Sequence, residues 1–234
     1  MTEAAQSPWP SSHENEWRRV TDIEILSHSL SELIERHPRL QSIDLIVEAG
    51  IGNGRVMPYV AKRLFPEAIY LGTDLVLPAP HYRTSIDDEG LSRLAQANEA
   101  GDINESILNA NAYDYELVSD ILEKTGRSNA LLVSCNALFA LSDKFGTPWD
   151  IKSKPDQVSL REMIRPDSPY QAQLHAYTDE MKPKELRAVP SYDDPDYFSK
   201  LPDKTTLATI NLETEAQRQG WTIDENEFGL LLLR

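Results

Sequence analysis

Apolar residues set a helical rhythm from Thr21 onward. Ile23, Ile25, Leu26, Leu30, Leu33 and Ile34 recur at three-to-four spacing, Thr21 or Asp22 can cap the start, and Pro38 closes it. Ile43-Asp44-Leu45-Ile46-Val47-Glu48 then reads as a buried strand running straight into Gly50-Ile51-Gly52-Asn53-Gly54. The pattern predicts a helix over Arg55–Phe65, with Val56, Tyr59, Val60 and Leu64 on one face, and a second strand over Ala68–Asp74. A helix follows over Asp88–Ala100, a short strand over Ser106–Asn111, a helix over Asp114–Lys124 closed by Gly126, and a fourth strand over Ala130–Ser134. Regular alternation of strand and helix implies a parallel sheet with right-handed crossovers, covered on both faces.

The second half is less regular. Residues 143–168 hold Pro148, Pro155 and Pro166 among mixed charges and read as an irregular insertion. A helix is expected over Tyr170–Met181 and a fifth strand over Leu186–Val189, followed by a polar loop. A helix near Ile210–Gln219, capped by Gly220, leads to two strands, Trp221–Ile223 and Phe228–Leu233, read as an antiparallel hairpin at the sheet edge. The expected fold is α/β: a three-layer doubly wound sheet, mostly parallel, with an antiparallel C-terminal edge hairpin. Residues 1–20 are expected to be a partly ordered N-terminal arm, with Trp9 and Trp17 docking it on the body. Residues 21–234 are expected to form a single domain with irregular insertions at 143–168 and 190–205.

Composition narrows the function. The chain has 23 Lys and Arg against 38 Asp and Glu, a net charge of −15. That excess of carboxylates argues against a broad phosphate-backbone contact, so nucleic acid is not the expected partner. The single cysteine, Cys135, excludes an intramolecular disulfide and a cysteine-rich zinc site. Apolar runs such as Leu230–Leu233 are far shorter than the ~18 residues of a membrane span. With no secretory signal evident at the N-terminus, a cytoplasmic location is expected. No metal site is expected.

The strongest chemical signal is Glu48-Ala49-Gly50-Ile51-Gly52-Asn53-Gly54, set between a strand and a helix. Glycines there permit a sharp turn and close approach of a ligand to the main chain, at the carboxyl edge where open α/β sheets bind ligands. A dinucleotide fingerprint would need a third glycine at Arg55, and the Gly-Lys-Ser/Thr ending of a phosphate-cradling loop is absent. The observed G-x-G-x-G, with an acid two residues ahead, resembles motif I of the class I S-adenosylmethionine-dependent methyltransferases. Asp74 closes the second strand about twenty residues past Gly54, the spacing at which an acid meets ribose hydroxyls in related folds. The resemblance implies that Glu48, Gly50, Gly52 and Gly54 border the cofactor and Asp74 holds its ribose. Leu75 would lie against adenine, Asn111 and Ala112 would face the adenine amino group, and Ser134 and Asn136 would border the cofactor after the fourth strand. The arrangement expected of these residues is a pair of anionic strand tips, Glu48 and Asp74, flanking a bare main-chain turn.

The resemblance implies S-adenosyl-L-methionine as cofactor and in-line methyl transfer to a small-molecule acceptor. The segment after the fourth strand lacks the Asn/Asp-Pro-Pro-Tyr/Phe tetrad of enzymes that methylate planar amino groups. Two alternatives stand beside this one. The first is a tRNA or protein methyltransferase, for which Thr147-Pro148-Trp149-Asp150 is a poor match to the motif expected after strand four. The second is a non-catalytic adenosine-ligand-binding protein on the same fold. His81, His175, Tyr113 and Tyr177 are candidate bases, and none is assigned. Cys135 reads as a small apolar residue at a strand end and Asp114 as a helix cap. Acceptor choice is expected to rest on 143–168, 190–205 and the N-terminal arm.

Overall fold

Leu45-Ile46-Val47 have no polar face, and both sides of the strand they form are buried, as the centre of a parallel sheet requires. The structure is a computed structural model. It describes residues 14–51, 56–74, 83–135, 137, 163–176, 212–226 and 229–234, with side chains from residue 22 onward. Among these residues the strands are β1 (Leu45–Ala49), β2 (Ile69–Asp74), β3 (Ile107–Asn109), β4 (Ala130–Cys135), β5 (Tyr170–Ala176), β6 (Thr222–Asn226) and β7 (Gly229–Leu233). They form one sheet in the order β3-β2-β1-β4-β5-β7-β6. The first five pair in parallel, and β7 runs antiparallel between β5 and β6. This is the mostly parallel, doubly wound α/β sheet with an antiparallel C-terminal hairpin that the alternation predicts.

The helices are α1 (Glu14–Arg36), α2 (Met57–Leu64), α3 (Asp88–Ala100) and α4 (Tyr115–Thr125), with a helical segment, α5, over 212–218. Strand alternation divides the core in two. On one face Leu45, Val47, Leu132, Leu230 and Leu232 pack with Leu94 of α3 and Leu117 and Ile121 of α4. On the other, Ile46, Leu131, Val133, Leu231 and Leu233 pack with Leu30 and Leu33 of α1 and Met57 and Val60 of α2.

Local signals set most boundaries. Asp87 caps α3 by accepting from the Gly90 amide at 2.7 Å, and Gly101 ends it at φ 69°. Asp114 caps α4, and Gly126 closes it at φ 66°. Two expectations are corrected. Helix α1 starts at Glu14, so Thr21 and Asp22 lie inside it rather than at its cap; Glu14–Val20 contains no proline or glycine to stop the helix earlier. Tyr170–Ala176 is strand, not the first half of a helix. Ala172, Leu174 and Ala176 face one core while Gln173 and His175 face the other, a period of two that suits a strand held between β4 and β7; Tyr170, before a shift in register, packs in the opposite core from Ala172. The strand expected at 186–189, the insertion 190–205 and most of 143–168 lie outside the described residues. No described helix is long and apolar enough to cross a membrane.

Candidate functional site

The carboxyl ends of β1 and β2 are stitched together before the chain leaves the sheet. The amides of Gly50 and Ile51 both donate to the Thr73 carbonyl, at 2.9 and 3.1 Å. In return the Thr73 hydroxyl donates to the Glu48 carbonyl at 2.8 Å. Gly50 takes φ +70°, and a Cβ there would stand 3.0 Å from the Ala137 Cβ. A left-handed backbone costs about 1–2 kcal/mol for a residue with a side chain. Gly50→Ala is therefore expected to lose about 1–2 kcal/mol of stability, read as a lower urea midpoint at unchanged m-value. An unchanged midpoint would show that this turn is not fixed.

The Glu48 side chain lies under that turn. It is buried, and its carboxylate accepts from the Tyr70 hydroxyl at 2.5 Å. Tyr70 reaches it across Gly72, where a Cβ would come within 2.9 Å of the tyrosine oxygen and 2.8 Å of Ile51 Cδ1. Gly72 thus leaves the space the bond needs. Desolvation pushes the Glu48 carboxyl up from 4.5 to about 7; the Tyr70 bond opposes this, and the charge of Asp74 adds to it. Asp74, half-buried at the end of β2, is the accessible acid, and Glu48 is a buried carboxyl that shares its proton with solvent near neutrality.

The other expected site residues divide. Asn111 and Ala112 are buried in the turn after β3, where the Asn111 amide oxygen accepts from the Tyr113 amide at 3.0 Å and so is engaged locally. The Ala112 carbonyl accepts from the Tyr170 hydroxyl. Ser134 is fully buried next to the end of β4, but alternation puts its side chain with Leu132, on the opposite face from Glu48. Gly52, Gly54, Leu75 and Asn136 lie outside the described residues, as do His81 and Tyr177. The structure therefore brings Glu48, Gly50 and Asp74 together and leaves Ser134 apart from them. Burial and the nearby Glu48 and Asp22 charges hold the Cys135 thiol well above its usual range, so it is no nucleophile. Tyr113 is likewise pushed well up by burial, and no described group ionises it for use as a base. Among the described residues no cluster of His, Cys, Asp and Glu could hold a metal ion.

One contribution was not foreseen, the Tyr70–Glu48 bond; His175, named among the candidate bases, is carried by β5 into the core. The acid pair itself has a sequence signal in Glu48 and Asp74, but nothing local joins Tyr70 to Glu48.

No family model and no curated protein matches the chain. Solved structures similar to it include an O-methyltransferase family protein from Burkholderia thailandensis, at 14% identity and TM-score 0.40, covering 94% of this chain and 62% of that one. A SAM-dependent methyltransferase from Aquifex aeolicus is similar at 10% identity and TM-score 0.37, over 85% of this chain and 86% of the other. The O-methyltransferase TomG from Streptomyces achromogenes, solved in complex with SAM, is similar at 13% identity and TM-score 0.35, over 97% and 92%. The chain spans under two thirds of the length of the Burkholderia protein. At these identities and scores the likenesses assign no activity, and the function has to come from the chain's own residues.

Proposed function

We propose that the protein is an S-adenosylmethionine-dependent methyltransferase acting on a small-molecule acceptor. One observation carries this reading: the charge of Asp74 reaches the buried Glu48 carboxyl, and the two acids flank the left-handed turn at Gly50. A ligand bound there meets bare main chain, an accessible carboxylate suited to a ribose diol, and a buried carboxyl behind it. The residues fit a nucleoside that carries positive charge, because a cation relieves the repulsion between the two acids. The sulfonium of such a cofactor supplies an already activated methyl group. The chain's own task is then alignment, which positioning alone can make worth several kcal/mol. Asp74 fixes the ribose, Gly50 lets the ligand approach, and Glu48 sets the local potential. The acidic surface, with its net charge of −15, favours a small acceptor over tRNA.

Calorimetry tests the reading. S-adenosylmethionine and S-adenosylhomocysteine should both bind, and Asp74→Ala should weaken both by about 1–3 kcal/mol, the value of a charged hydrogen bond. Binding of neither ligand, or full affinity in the variant, would refute it.

The raised Glu48 carboxyl adds a pH test. A cation favours its ionised form, so below pH 7 binding must expel a proton. S-adenosylmethionine affinity should rise by up to about tenfold per pH unit from pH 5 to 7 and level off above. Affinity that is flat over this range would show that Glu48 does not sense the ligand.

A further inference from the structure

On the sheet face away from Glu48, three fully buried polar side chains stand in one row with hydrogen-bonding atoms unused. Ser134 of β4 pairs in register with His175 of β5, and Gln173 lies two residues back, opposite Leu132. Among the described residues the Ser134 hydroxyl, both His175 ring nitrogens and the Gln173 amide oxygen have no hydrogen-bond partner. Gln173 is not loosely placed, since its amide nitrogen donates to the Met163 carbonyl at 2.6 Å and so fixes the free oxygen. Neighbouring strands lie about 4.8 Å apart, which sets Ser134 and His175 side by side, with Gln173 on the same face two residues along β5. Leu132 and Leu230, in register with Gln173 and His175, and Leu232 make the surroundings apolar.

Leaving a buried polar group unpaired costs about 1–3 kcal/mol, so a row of them marks a place that is completed by something else. The inventory is uncharged. A serine hydroxyl gives and accepts, a glutamine oxygen accepts, and a neutral imidazole gives at one nitrogen and accepts at the other. Burial holds His175 neutral, moving it down from 6.5 to about 3. The row lies within three residues of the carboxyl ends of β4 and β5, the sheet edge that also carries the Gly50 turn.

We propose that Ser134, Gln173 and His175 form a recognition subsite for an uncharged hydroxyl or carboxamide group on an otherwise apolar small molecule. That this molecule is the methyl acceptor rests on the methyltransferase reading; the subsite itself does not. His175 is here a binding residue that selects a neutral donor–acceptor group over an ammonium or a carboxylate.

The test uses the full chain with 15N-labelled histidine, with and without S-adenosylhomocysteine, and follows the ring nitrogens by long-range 1H–15N correlation. His175 is identified as the ring that stays neutral at pH 5. Benzyl alcohol and benzamide should shift its nitrogens saturably toward one tautomer. Toluene, benzylamine and benzoate should leave them in place. Gln173→Leu, or Ser134→Ala if that variant does not fold, should weaken benzyl alcohol binding on the order of fivefold, the value of one hydrogen bond. Unmoved His175 nitrogens with every probe, or an equal shift with toluene, would overturn the subsite. Probe binding with no binding of S-adenosylmethionine or S-adenosylhomocysteine would uphold the subsite and refute the methyltransferase reading instead.

Discussion

His175→Leu should remove a large part of the protein's acid sensitivity. In the folded chain the imidazole stays neutral down to about pH 3, whereas in the unfolded chain it takes up a proton near 6.5. A depressed histidine costs stability on the acid side. The loss begins as pH falls below 6.5 and is complete only below about 3, and the full difference is worth on the order of 5 kcal/mol. Relative to its value at pH 7, the stability of the leucine variant should gain on the wild type by about 3 kcal/mol at pH 4.5 and about 4 at pH 3. Leucine also places no unpaired nitrogen in the core, so the cost at pH 7 should stay within about 1–2 kcal/mol. Urea unfolding at a series of pH values measures this. Parallel pH profiles for the two proteins would show that His175 is protonated in the folded state.

Glu48→Gln should act in the opposite sense. A carboxyl raised from 4.5 to about 7 is fully tolerated only below its unfolded value, and stability drains away as pH rises between the two. At pH 8 the wild type should carry a penalty of about 3 kcal/mol that glutamine lacks. The variant should be more stable at pH 8, equal to the wild type near pH 4, and weaker in S-adenosylmethionine affinity because the local negative potential is gone. Glutamine can still accept from the Tyr70 hydroxyl, so the packing is kept. A variant that is less stable at pH 8 would show that Glu48 is ionised with a compensating partner. Between pH 4.5 and 6.5 the Glu48 and His175 slopes oppose each other, and each substitution should uncover the other's.

Much of the framework was legible because its signals are local. The apolar run of β1, the cap at Asp87 and the left-handed ends at Gly101 and Gly126 each depend on residues a few positions apart. Glu48 and Asp74 could be paired in sequence because each closes or nearly closes a strand next to a glycine turn. What could not be read depends on contacts across the sheet. Tyr70 meets Glu48 only because the two strands are adjacent in parallel register. Alanine, glutamine and leucine favour a helix at 170–176, and only the slots beside β4 and β7 make that segment a strand. With the segment taken as helix, His175 and Gln173 could not be placed beside Ser134. The buried state of Glu48, and with it the shifted proton, follows from the same cross-sheet packing.

The position of β7 has a consequence for biosynthesis. It occupies the slot between β5 and β6, yet it is made last of the three. While the nascent chain is still emerging, the outer rim of β5 has no neighbour, and its amides and carbonyls are open to pairing with another polypeptide. A ribosome stalled before Gly229 should therefore display an adhesive, half-finished domain, and the four leucines that complete it should decide how much of the protein escapes aggregation.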